Sequence, residues 1–378
     1  MRLVKRLFEL LIVLALASGP VLAADVNTLE KEIQNLKKEN SDLKERVDAI
    51  EADDEELKHG IGSLSKLVEV SGYADAEFFL TGQEGENNKF RIRHLSLFFT
   101  KEIQTQWKLF TEIEFEGAPR IESNTATDTV KSSQGTIFVE QMYIEYHPAV
   151  SWDMRFGRFL TPAGIWSIYH YPPYVPTQSA PLIFKVIFPE VSDGVQLRNS
   201  FTLKDSALDT HLYLSNGSGN PGRLDRNENK GVGLRINSDL LAGFSTGASY
   251  FREQDNDGTW KNSYGVHLLY GYSAVKFQAE YELRHNSPEG EDSFNDLGGY
   301  LQLAYDIGKW TLAGRYDWYD SSSKISDNTQ SRYTGAINYH FGHNVIGKFE
   351  VNRNKFDAQS IQDYNEAILG IIVAIGDL

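Results

Sequence analysis

The sequence predicts an all-β protein, a sixteen-stranded antiparallel transmembrane β-barrel preceded by an α-helical coiled coil. Three observations carry that reading. Apolar and polar residues alternate with period two from Leu67 to the end of the chain. The connections between the alternating segments are short and long by turns, as in outer-membrane barrels. No segment after the N-terminal one reaches the run of about 18 apolar residues that a membrane helix needs.

Residues 1–23 read as a secretory signal peptide. Arg2, Lys5 and Arg6 precede an apolar run from Leu10 to Ala17, and Val21-Leu22-Ala23 forms a small-residue exit, with cleavage expected after Ala23 or Ala24. From Val26 to Leu64 the apolar residues step by three and four. With Val26 at heptad position a, residues Leu29, Leu36, Leu43, Ile50, Leu57 and Leu64 fall at d, and Asn40 and Asp54 occupy a positions. Polar a residues lower stability while fixing register and strand number. Lys, Glu and Asp cover the other faces, so the apolar stripe is expected to associate copies of the chain. The predicted units are therefore a signal peptide over 1–23, a periplasmic coiled coil over 25–65 and a barrel over 67–378.

Beyond Gly60 to Ser65 the period becomes two. Val70, Ala74, Ala76, Phe78 and Leu80 share one face, and Ser71, Asp75 and Glu77 the other. Further along, Val275, Phe277, Ala279, Tyr281 and Leu283 oppose Lys276, Gln278, Glu280, Glu282 and Arg284. Sixteen such segments follow one another, the first near 67–80 and the last near 364–378. Turns such as His147 to Ala149 and Ile307 to Gly308 are short, whereas Gly117 to Gly135, Asn216 to Asn229 and Asn286 to Asn295 are long and polar. An even count with this alternation suits a closed barrel, because backbone groups in lipid must all be paired and closure leaves no edge.

One long connection differs in kind. Residues 161–189 hold six of the eleven prolines, together with Trp166, Tyr169, Tyr171, Tyr174, Phe184 and Phe188. Proline has no N–H for a ladder, so this stretch cannot extend the flanking strands. Its aromatic weight is too large for a loop in open water, and it is expected to fold into the barrel.

Composition narrows the chemistry. The formal charge is −15, or −17 without the first 23 residues, which argues against nucleic acid as a partner. Cysteine is absent, so thiol chemistry and disulfides are excluded. The nine histidines show no zinc-holding spacing, and Asp255-Asn256-Asp257-Gly258 lacks the glutamate that would complete a calcium loop. There is no GxSxG elbow and no phosphate-cradling glycine loop, so neither an enzyme nor a cofactor is expected.

Several segments resemble the phosphate-selective porin O and P family and related trimeric porins with an N-terminal coiled coil. They are Phe90-Arg91-Ile92-Arg93-His94, Phe156-Gly157-Arg158-Phe159-Leu160-Thr161-Pro162-Ala163-Gly164, Asp193-Gly194-Val195-Gln196-Leu197, Leu214-Ser215-Asn216-Gly217 and Gly314-Arg315-Tyr316-Asp317. The resemblance implies a homotrimeric channel in the bacterial outer membrane with its third loop folded into the pore. It also implies, for phosphate-selecting members, an arginine ladder and a lysine cluster at the constriction. This chain's third loop carries only Lys185 and His170, and its lumen rows mix arginines with Glu77, Glu112, Glu114, Glu280 and Glu282.

The function expected is passive diffusion of small hydrophilic solutes with a preference for anions. A basic residue on the wall lowers the cost of bringing an anion into a narrow, poorly screened pore. The residues expected to line it are Arg91, Arg93, Arg155, Arg158, Lys185, Arg198 and Arg315, with Tyr169, Tyr171 and Tyr174 of the third loop. Strict alternation from Trp152 puts Arg158 on the outer row unless a bulge near Gly157 turns it inward. A barrel that anchors a coiled coil or displays adhesive loops is the alternative from another class.

Overall fold

The structure is a computed structural model, and it describes residues 68–118, 120–124, 129–133, 135–203, 206–217 and 228–376, with Lys44. The expected signal peptide and, apart from Lys44, the expected coiled coil lie outside the described residues. The strands in chain order are β1 (Glu69–Thr81), β2 (Lys89–Gln104), β3 (Trp107–Glu116), β4 (Arg120–Asn124), β5 (Thr129–Ser133), β6 (Thr136–Ala149), β7 (Trp152–Leu160), β8 (Val191–Leu203) and β9 (Ser206–Ser215). They continue with β10 (Gly231–Leu241), β11 (Phe244–Gln254), β12 (Trp260–Tyr272), β13 (Val275–Ser287), β14 (Phe294–Ile307), β15 (Trp310–Asp320), β16 (Thr329–His340), β17 (Val345–Phe356) and β18 (Tyr364–Ile375).

All but β4 and β5 close into one barrel of sixteen antiparallel strands. The first strand meets the last, from Gly72↔Ile375 to Thr81↔Glu366. Each barrel strand falls on a segment that the alternation predicts. The stretch from Gly117 to Gly135, expected to be loop, instead contains the hairpin β4–β5, paired from Arg120↔Ser133 to Asn124↔Thr129. Five residues per strand are too few for a period-two pattern to stand out in a polar stretch.

The distribution of side chains is inside-out. Leu212, Leu214, Val266, Leu301, Leu303, Leu369 and Ile371 are exposed, while Ser96, Glu112, Gln196, Asn338 and Glu350 are buried. Such a surface would be unstable in water and is what a hydrocarbon solvent selects. Aromatic rings collect near the short-turn end: Trp107 stacks on Tyr146 at 4.4 Å and Trp310 meets Tyr339 at 4.6 Å. At the opposite end Phe78 and Phe90 lie 4.4 Å apart. Tyrosine and tryptophan, with one polar edge each, settle at the boundary between lipid and water, so the rings at the short-turn end mark one face of the membrane.

The hydrophobic cluster of buried residues lies inside the barrel. Trp166, Ile183, Ile187 and Phe188 from the loop pack with Tyr143, Phe159, Tyr213, Phe251 and Tyr300 from the wall. Each fully buried side chain of this size contributes about 1.5–3 kcal/mol. The loop between β7 and β8 is thus a folded element with its own apolar anchor.

Candidate solute pathway

A proline-rich segment can be buried only if its backbone groups find partners other than a ladder. The wall supplies them from its charged rows. Glu280 accepts from the N–H of Ile165 at 3.1 Å, Glu350 from those of Gln178 (2.5 Å) and Ser179 (3.1 Å), and Asp317 from that of Leu182 (3.3 Å). Cationic side chains serve the carbonyls: Lys348 donates to Pro172 (2.7 Å) and Val175 (2.6 Å), Arg284 to Val186 (2.7 Å) and Arg332 to Ala180 (3.1 Å). These partners come from β13, β15, β16 and β17. On the other side, Tyr171 donates to Glu112 of β3 at 3.0 Å and His170 lies 3.0 Å from Glu140 of β6. The loop therefore spans the lumen from wall to wall.

Two cavities flank it. One, of about 380 Å³, is lined by Arg91, Arg93, His94, Glu114, Glu116, Lys185 and Glu190. The other, of about 470 Å³, is lined by Tyr174, Lys276, Gln302, Asp306, Asn338 and Lys348 and lies toward the short turn at Gly308. Val175 borders both.

Among the residues expected to line a pore, Arg91 and Arg93 reach the first cavity. A register shift pairs Asp75 with His94 and Ala76 with Ile92, leaving Arg93 as an extra residue. The bulge reverses the alternation, so that Arg93 and the adjacent His94 both line the cavity. Arg91 Nε lies 2.5 Å from Glu77 Oε1, and Arg93 Nη1 lies 3.7 Å from Glu77 Oε2, its one ion pair among the described residues. Arg155 and Arg198 form a second group with Glu145, at 2.5 and 3.4 Å, and Lys108 joins it at 3.6 Å. Lys185 is 41% exposed and pairs with Glu190 at the cavity rim.

Other expected lining residues have different surroundings. Arg315 is only 3% exposed and serves as a loop anchor, donating to Thr177 Oγ1, Ser179 O and Ala180 O at 2.5, 2.9 and 3.2 Å while holding Asp317 at 2.9 Å. Arg158 stays on the outer row. The β6–β7 and β7–β8 ladders run without a shift through Gly157, Arg158 shares its rung with exposed Met142, and its guanidinium grips Asp193 at 2.6 and 2.9 Å. Tyr171 is an anchor, whereas Tyr169 and Tyr174 are 59% and 54% exposed. The turn at Asp255 to Gly258 closes on itself, with Asp255 Oδ1 accepting from the N–H of Thr259 at 3.1 Å. Side-chain hydrogen bonding with Asp255 and Thr259, and the Thr259 N–H that Asp257 Oδ1 accepts at 2.9 Å, hold the Asp257 carboxyl down to about 2.

The family model of the Gram-negative porins matches residues 11–359 of this chain. The chain belongs to the Gram-negative porin family. As a porin it is an outer-membrane barrel through which solutes diffuse. An "Uncharacterized protein" of Aquifex aeolicus (strain VF5) is 24% identical over 309 residues, covering 69% of this chain and 68% of that one. Among solved structures, the anion-selective porin from Comamonas acidovorans superposes with a TM-score of 0.60 at 11% identity, covering 82% of this porin and 99% of that chain. OmpT of Vibrio cholerae gives 0.58 at 10% identity over 81% and 97% of the two chains. The outer membrane channel DcaP of Acinetobacter baumannii gives 0.53 at 14% identity over 82% and 97%. These likenesses establish the fold.

Sequence reasoning missed the wall residues that hold the loop. Lys348, Glu350, Asn352 and Asn354 are buried and alternate with Phe349, Val351 and Arg353, so their facing was readable. The loop partners of Lys348 and Glu350 were not, because those lie more than 170 residues away, whereas Asn352 and Asn354 meet nearby wall residues such as Thr334 and Glu366. Gly164 is equally constrained. Its φ is +51°, and a Cβ there would sit 1.3 Å from Glu280 Oε1. Gly164→Val is expected to unseat the start of the loop at a cost of about 1–3 kcal/mol. The check is the unfolding temperature of the barrel in detergent, and an unchanged value would mean that the loop start repacks freely.

Proposed function

We propose that this porin passes small hydrophilic solutes along its third loop, with a preference for anions such as phosphate, as a homotrimer braced by a periplasmic coiled coil. The observation that carries the reading is the loop fixed across the lumen with a charged cavity on either side of Pro172 to Val175. Two arginines share one carboxylate at Glu77, and two arginines with Lys108 surround Glu145 and Asp153. Taken by itself each group has one more cationic than acidic side chain, while Glu114, Glu116 and Glu190 also line the first cavity, and Arg93 is the least neutralised cation there. In a narrow, poorly screened lumen such a surplus lowers the barrier for anions.

Arg93→Glu is expected to shift the reversal potential toward cations in a salt gradient across a planar bilayer. The shift should shrink between about 0.1 M and 1 M salt, as the screening length falls from roughly 10 Å to 3 Å. Lys185→Glu should act in the same direction but less, since Glu190 already neutralises Lys185. A selectivity untouched by Arg93→Glu at low salt would remove the anion preference from this wall.

Association of copies is supported by the heptad pattern of Val26 to Leu64, and the number three by the resemblance to trimeric porins. Deleting Asp25 to Ser65 is expected to lower the temperature at which oligomers dissociate in detergent while the barrel still forms, because its strands close within one chain. Equal oligomer stability after the deletion would count against the coiled coil. A second reading, an anchor whose loop seals the lumen, is favoured by Val175 bordering both cavities. Wild-type protein that never conducts in a bilayer would select it.

A further inference from the structure

We propose that Glu112, Glu114 and Glu140 bind a hard divalent cation of the Ca²⁺ class beside the 380 Å³ cavity. The three carboxylates are 0%, 5% and 1% exposed, and each can offer an oxygen within 4.8 Å of the other two. Ligands on opposite sides of a Ca²⁺ ion are separated by about twice its 2.3–2.6 Å bond to oxygen, so that spread fits one ion. Several buried acids elsewhere in the lumen have cationic or backbone N–H partners, as Asp317 has Arg315, Asp296 has Arg284 and Glu350 has two backbone N–H groups. No lysine or arginine pairs with Glu112, Glu114 or Glu140 among the described residues. Buried negative charges left uncompensated cost several kcal/mol each, so this trio is neutralised either by shared protons or by a bound cation.

Two further observations point to a ligand. Glu140 Oε2 is buried and accepts no hydrogen bond, while Oε1 faces His170 Nε2 at 3.0 Å. Glu140 is also the extra residue of a bulge: Glu112 pairs with Gln141 and Ile113 with Val139, which turns both Glu140 and Gln141 into the buried row. Bulges of this kind re-aim side chains at functional sites. The carboxylates are held from behind by neutral donors. Ser96 (2.7 Å), Gln141 (2.8 Å) and Tyr171 (3.0 Å) donate to Glu112, and Tyr73 donates to Glu114 at 2.9 Å. Glu114 also lines the cavity, which provides the way in.

Terbium(III), a Ca²⁺ surrogate whose emission is sensitised by nearby tyrosines, tests the site on EDTA-treated full-length protein in detergent at pH 7.5. Tyr73 and Tyr171 are the sensitisers. Wild type should show saturable emission that excess Ca²⁺ competes away, and Glu140→Gln and Glu112→Gln should each weaken it at least tenfold. Glu291→Gln, in the loop before β14, should leave it unchanged. Absence of a saturable signal in wild type, or a signal equal in all variants, overturns the proposal: the trio then shares protons or the ion sits on surface loops. Should either variant fail to fold, radioactive Ca²⁺ dialysis on wild type decides, with one tight site per chain expected and none overturning it. These readouts do not depend on conduction. On the porin reading, adding Ca²⁺ after EDTA should also move wild-type selectivity toward anions and leave Glu140→Gln unmoved; a wild-type response shared by that variant would place the ion elsewhere.

Discussion

Removal of Pro172 to Ser179 is expected to raise single-channel conductance by roughly twofold or more, because it takes out the segment that separates the two cavities. The barrel should survive. Its strands pair with one another and not with the loop, and the deletion leaves Trp166, Ile183, Ile187 and Phe188 to hold the remaining ends. The anchors that lose partners are Lys348, Asn338, Glu350, Asp75 and Arg315, the last of which keeps Ala180 and Asp317. Lys348 and Glu350 point to the same side two residues apart on β17, so their opposite charges can compensate each other in the water that replaces the loop. Conductance equal to wild type would put the narrowest point elsewhere. A silent wild type beside a conducting deletion would identify the segment as a plug.

Arg315→Ala is expected to be the most damaging single substitution in the loop's seat. Its guanidinium makes four hydrogen bonds to Thr177, Ser179 and Ala180 and one to Asp317, with both charged side chains fully buried. Removing one member of a buried pair leaves the other uncompensated, which destabilises by about 3–5 kcal/mol. The measurements are the unfolding temperature in detergent and the noise of the open channel. The first should fall, and the second should rise as Pro176 to Ala180 comes loose. Arg315→Ala/Asp317→Ala should recover part of the loss by removing the stranded carboxylate. A double variant no more stable than Arg315→Ala would mean that the loop contacts, and not the ion pair, account for the effect.

The sequence by itself determined the wall of this protein. Period-two alternation from Val70 to Leu80 or from Val275 to Arg284 fixes which side chains face lipid, because every second residue of a strand points the same way. Counting those segments with their turns gives all sixteen strands, and the prolines between Thr161 and Pro189 mark the stretch that cannot join them. What local pattern cannot carry is a contact between distant strands or a one-residue shift in a ladder. The bulges at Arg93 and Glu140 carry an extra residue set by the neighbouring strand, so alternation counted through them places His94 and Gln141 on the wrong face. Arg315 looks the same in sequence whether it meets solutes or holds Ser179, and only the closed barrel, by bringing β15 against the loop, made it an anchor. The short-range periodicity that a polypeptide writes into its sequence thus decided the architecture, and the long-range pairing that closure enforces decided which of the lumen's charges remain available to a passing solute.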